Sequence, residues 1–120
     1  MKLIALAVLT GLAAGLLGAL CGVGGGIIMV PAFVFFFGLE QKQAVATSLA
    51  AIILTALLAS IKNAGHGFVN WKIAVPTAIS AAVVAWFAAD GLRVLSNLTL
   101  TRIFAVVMIA LGTRMLWVAR

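Results

Sequence analysis

Five residues could hold an anion without any charged partner: Gly24, Gly25, Gly26, Thr47 and Ser48. The run Gly22-Val23-Gly24-Gly25-Gly26 lies between two apolar stretches and is too dense in glycine to continue a helix. Glycine lets a ligand approach the main chain with no Cβ in the way. Where the chain restarts as a helix, the first N–H groups lack helical partners and the dipole favours an anion. Thr47 and Ser48 open a later apolar stretch. Their hydroxyls either donate to an oxyanion or bond back to their own helix, the commoner arrangement in membrane helices. The plainer alternative for the glycine run is a tight hairpin turn with no ligand.

Other chemistry is poorly provided for. The one cysteine, Cys21, excludes an internal disulfide and any cysteine-pair metal site. It adjoins the glycine run, where a thiol could meet a sulfur substrate, but a free cysteine there is expected to be a small packing residue. His66 sits in the polar loop Lys62-Asn63-Ala64-Gly65-His66-Gly67 and is expected to be solvated, though a pH-sensing role is open to it. One His, two acids far apart and no Tyr cannot assemble a metal centre. No cofactor and no catalysis are expected. Glu40 and Asp90 fall at the ends of apolar stretches, so no acid stands mid-span, where a proton- or cation-coupling carboxylate belongs.

The elements that position these residues must be membrane helices. Of 120 residues 66% are hydrophobic and 8% charged, and the mean hydropathy is +1.32. A soluble domain carries about a quarter charged residues, so a soluble enzyme, a disordered tail and a nucleic-acid-binding domain are all excluded. The net charge of +6 comes from single Lys and Arg residues between apolar runs, as at membrane flanks, with no continuous patch for nucleic acid. The pattern predicts an all-α integral membrane protein with four to five hydrophobic helical segments in a single domain over residues 1–120. Helices are expected at 3–20, 44–61, 73–90 and 103–118. Residues 21–26 form a glycine-rich break, and 27–39 a short half-helix containing Pro31. A bilayer core of about 30 Å needs about 20 helical residues, so the first pair is a glycine-broken hairpin or a re-entrant arm.

Within the first helix, Gly11, Gly15, Gly18 and Gly22 fall on one stripe and predict close helix packing, above all for the first two. Trp71 and Trp117, near span ends, suit the headgroup level, and Trp86 could serve the same belt. Met1-Lys2 before an apolar run also resembles a signal peptide, but Leu20 stands before Cys21 where a small residue is expected, and no soluble domain follows.

If residues 3–38 form a hairpin, one face holds Lys2, Lys42, Arg93 and Arg102 and the other Lys62, Lys72, Arg114 and Arg120. That tie leaves the positive-inside rule silent and suits insertion in both orientations. A single crossing over 3–38 would instead weakly favour the amino terminus inside.

The stretch Gly18-Ala-Leu-Cys-Gly22-Val-Gly24-Gly25-Gly26-Ile-Ile-Met-Val-Pro31, followed by Gln43-Ala-Val-Ala-Thr47-Ser48, resembles the repeat signature of the TauE/SafE sulfite-exporter family. The loop Gly65-His66-Gly67-Phe68-Val69-Asn70-Trp71-Lys72 up to Pro76, and Leu100-Thr101-Arg102-Ile103-Phe104 up to Gly112, are similar to it as well. The resemblance implies a multi-pass transporter of the cell membrane for a small anion such as sulfite or an organosulfonate. It also implies substrate binding near Gly24, Gly25, Gly26, Thr47 and Ser48. Family members usually contain two such repeats and this chain holds one. A homodimer or pairing with a second half-size subunit, in contact with membrane lipid, is therefore expected; a truncated remnant is the other possibility. The competing readings are a non-transporting subunit that packs with a partner transporter half, and a small dual-topology exporter of organic cations. The missing mid-span carboxylate speaks against the last.

Overall fold

The computed structural model describes residues 1–120. Five helices follow one another: α1 (Lys2–Cys21), α2 (Gly26–Phe37), α3 (Gln41–Gly65), α4 (Trp71–Val94) and α5 (Asn97–Val118). All except α2 are long and apolar enough to cross a membrane, making this a multi-pass membrane protein. The helices outrun the apolar stretches that announce them. Polar residues such as Gln41, Lys42, Lys62 and Asn63 continue the helical turns of α3 into the flanks.

The glycine run separates α1 from α2 as expected. Gly22 closes α1 with φ 70° and accepts the role of a left-handed cap, its N–H donating to the Gly18 carbonyl at 2.9 Å. α2 spans 12 residues, about 18 Å of rise, which falls short of a 30 Å hydrocarbon core. It runs through Pro31 without ending there. Three residues, Gly38, Leu39 and Glu40, then turn the chain into α3.

The packed core is small and belongs to α1–α3. It consists of Ala14, Gly18, Gly25, Met29, Val30, Ala32, Gln41, Ala44 and Ser48. Mostly small side chains meet there, because lipid offers helices no hydrophobic reward for association and close backbone approach must supply the attraction. α2 lies between α1 and α3 and packs on both. Neither α4 nor α5 has a buried residue.

One polar junction ties the second part to the first. The Asn97 amide donates to Glu40 Oε2 at 3.1 Å, and its Oδ1 accepts from the Lys42 N–H at 3.2 Å. The starts of α3 and α5 therefore share one membrane face, and α4 runs between them in the opposite sense. The chain exposes 9311 Å², half as much again as the roughly 6,100 Å² of a soluble monomer of this mass. That excess is surface for lipid or for further protein.

Candidate functional site

The site begins with how the break is held. Gly25 takes φ 80° as the N-cap of α2, a conformation that disfavours any residue with a Cβ. A Cβ there would also fall 2.9 Å from the Ala14 carbonyl oxygen. One built on Gly18 would fall 2.5 Å from the Gly25 nitrogen. The break thus folds back onto α1 at the level of Ala14 and Gly18. From α3, the Ile52 side chain covers the run, lying 3.1 Å from Cβ positions at both Gly24 and Gly26. Ile52 is near the middle of α3. The amino terminus of α2 consequently sits at mid-depth of a spanning helix.

This placement leaves main-chain donors unpaired. Ile28 and Met29 donate to the Gly25 carbonyl at 3.1 and 2.9 Å, but the N–H groups of Val23, Gly24, Gly25, Gly26 and Ile27 have no acceptor in hydrogen-bonding geometry. Each of these would be costly facing hydrocarbon. A row of N–H groups at the positive end of a helix is a place for an anion or for water.

Of the two hydroxyls singled out in the sequence, the structure separates one from the other. Ser48 is buried on the side of α3 that meets α2, and its Oγ donates to the Val45 carbonyl at 2.8 Å. Thr47 is exposed, one residue and 100° around the helix. The glycine stripe also divides. Gly18 is a contact with the break, whereas Gly11, Gly15 and Gly22 have open space where a Cβ would stand. Within residues 1–120 nothing packs against the Cβ positions of Gly11 and Gly15. Cys21 is exposed, and His66 is exposed in its loop, beside the Phe68 ring at 5.7 Å.

A cleft of about 170 Å³ opens beside the break. Gly15, Gly18 and Gly22 line it from α1, and Gly24 reaches it from the break. Thr55, Ala56, Ala59, Ser60 and Asn63 line it from α3. The sequence reading passed over these α3 residues. Their signal is the spacing of Thr55, Ala59 and Asn63 at four-residue steps, with Ala56 and Ser60 alongside, in a helix whose other face carries Leu54, Leu57, Leu58 and Ile61.

The profile of the family described as sulfite exporter TauE/SafE matches residues 4–120. The chain is 34% identical over 103 residues to the Probable membrane transporter protein YunE of Bacillus subtilis, covering 86% of this chain and 38% of that protein. To a Probable membrane transporter protein of Xylella fastidiosa it is 32% identical over 124 residues, covering 98% and 44%. A Methanocaldococcus jannaschii relative, also a probable membrane transporter protein, is 29% identical over 116 residues, covering 90% and 43%. The chain spans about two fifths of the length of these curated relatives. No solved structure matches it.

Proposed function

We propose, on the premise that this chain belongs to the sulfite exporter TauE/SafE family, that it is one unit of a transporter for a small anion such as sulfite or an organosulfonate. The observation that carries the proposal is the row of unpaired N–H groups from Val23 to Ile27 at mid-depth of α3. Gly24, Gly25 and Gly26 supply these donors with no side chain over them. An anion gains charge-assisted hydrogen bonds there and the helix dipole adds to them. Ser48 would join by turning its proton from the Val45 carbonyl to the substrate. Binding and release are the whole of the chemistry proposed, and no bond of the substrate is made or broken.

A second unit completes the reading. Such a unit would cover exposed Thr47 on α3 and the open stripe at Gly11 on α1. The homodimer proposed here is inverted. With α1 and α2 as a hairpin that returns to its starting face, α3, α4 and α5 make an odd number of crossings, and such units pair as inverted repeats. The four-to-four division of Lys and Arg under that topology favours neither orientation. Carboxy-terminal reporters, one active only inside the cell and one only outside, should both give signal. A single active reporter sinks the inverted homodimer.

The transport reading itself is tested by reconstituting the pure chain in liposomes and measuring uptake of sulfite, thiosulfate, sulfate and taurine. Saturable uptake of at least one of them is expected. Uptake no faster than in empty liposomes for all four would refute it.

A further inference from the structure

We infer that α4 pairs with α4 of a second, inverted copy of this chain, through a seam of alanines centred on Ala81. This deepens the inverted-homodimer reading and rests on it for the second copy.

α4 has little to pack on within its own chain. α2 lies on α1 and α3, and α5 touches α3, whereas no extended packing joins α4 to any helix. Every residue from Val75 to Asp90 is exposed, all the way around the helix. Lipid would suit such a helix if its surface were bulky on every side, and it is not. Ala74, Ala78, Ala81, Ala85 and Ala88 fall within about 80° of arc at 100° per residue, and Ile79, Val83 and Phe87 stand opposite. Membrane helices attract one another through close backbone approach, which small residues permit and Ile, Val or Phe prevent. The bulky face suits lipid, and the alanine face suits another helix.

The spacing identifies that helix. A two-fold interface brings one patch against itself, so the patch must match its own reversal. Ala74 and Ala88 each stand seven residues from Ala81, and Ala78 and Ala85 stand three and four away. Two antiparallel copies therefore meet alanine on alanine, with Ala81 on the partner's Ala81 and Ala74 on the partner's Ala88. Ala81 also lies within two residues of the midpoint of α4, where a two-fold axis in the membrane plane crosses a spanning helix. The ends agree. Lys72 and Asp90 each lie nine residues from Ala81, so Asp90 comes level with the partner's Lys72 at both ends of an antiparallel pair. A parallel pair would set like charge level with like, and the partial charges of the helix ends as well.

The test uses the full chain in vesicles, with single cysteines in a Cys21→Ser background and a membrane-permeant oxidant. A disulfide needs Cα atoms within about 7 Å, so Ala81→Cys should link to itself at least about tenfold faster than Val83→Cys. Ala74→Cys should not link to itself, because those positions lie about 21 Å apart in the antiparallel pair. It should link to Ala88→Cys when the two chains are mixed. Equal rates at Ala81 and Val83 overturn the seam, and so does an Ala74 self-link without the mixed one. Ala81→Leu keeps α4 helical and apolar but adds bulk on the seam. It should weaken the dimer about tenfold or more, read as energy transfer between labelled copies on dilution into lipid, while Val83→Leu leaves it unchanged. Equal dimer strength in the two overturns the seam and leaves the homodimer standing. A chain that is monomeric by mass at every protein-to-lipid ratio defeats the homodimer reading and the seam with it.

Discussion

Gly18→Ala should cost the chain its packed core, although it adds a single methyl group. The Cβ would fall 2.5 Å from the Gly25 nitrogen and 2.9 Å from its Cα. Both neighbours are backbone, and Gly25 is pinned in turn against the Ala14 carbonyl. Neither side can move without opening the contact of α1 with α2. Overpacking in such a place costs about 3 kcal/mol, a large share of what holds a small domain together. Gly11→Ala is the matching control, because open space surrounds Gly11 and alanine is the better helix former by about 1 kcal/mol. Thermal unfolding of the detergent-solubilised protein measures both. Gly18→Ala should lower the transition sharply and Gly11→Ala should hold or raise it; equal shifts would show that the break does not lean on α1.

The second large effect is expected on transport and not on folding. Gly26→Ala should leave a folded chain, since Gly26 has ordinary helical φ and a Cβ there meets only the Ile52 Cδ1, the mobile end of a side chain, at 3.1 Å. The methyl group nevertheless narrows the bare approach to the unpaired N–H row. Loss of one charge-assisted hydrogen bond costs about 1.5–3 kcal/mol, so uptake at low anion concentration should fall by roughly tenfold or more. Ile52→Val gives the methyl group its room back. The double variant Gly26→Ala/Ile52→Val should fold like the parent and still transport poorly. If it regains parental uptake, the loss came from crowding against Ile52, and the glycine run is a turn.

Much of this architecture is legible in the sequence. Hydropathy locates spanning helices because a bilayer demands long apolar runs, and the glycine run announces a break because no helix tolerates that density. The shortness of α2 follows from the distance between two such markers. What spacing alone leaves open is which glycine is touched. Gly11, Gly15, Gly18 and Gly22 are equivalent on a helical stripe, and only the return of the chain at Gly25 gives Gly18 a neighbour. Thr47 and Ser48 are adjacent in sequence, yet the helical step puts one in the core and the other outside. Thr55, Ser60 and Asn63 escaped notice because a cleft is defined by what is missing between two helices. Half-helix length and the polar stripe of α3 each hint at it, but the void exists only when both are placed together.

The shortness of α2 also dictates an order of birth. As the chain leaves the ribosome, α1, α3, α4 and α5 are each long and apolar enough to partition into the bilayer alone, the first stage of membrane folding. α2 has no such independence. Twelve residues reach about 18 Å, and an isolated half-helix would set its bare amino terminus in lipid. It must wait at the interface until Ile52 and Ser48 have been synthesised, because the α3 surface that shelters it comes later in the chain. The floor of the cleft is therefore laid after its walls have entered the membrane, and a nascent chain halted before α3 would carry an apolar arm with nowhere to dock.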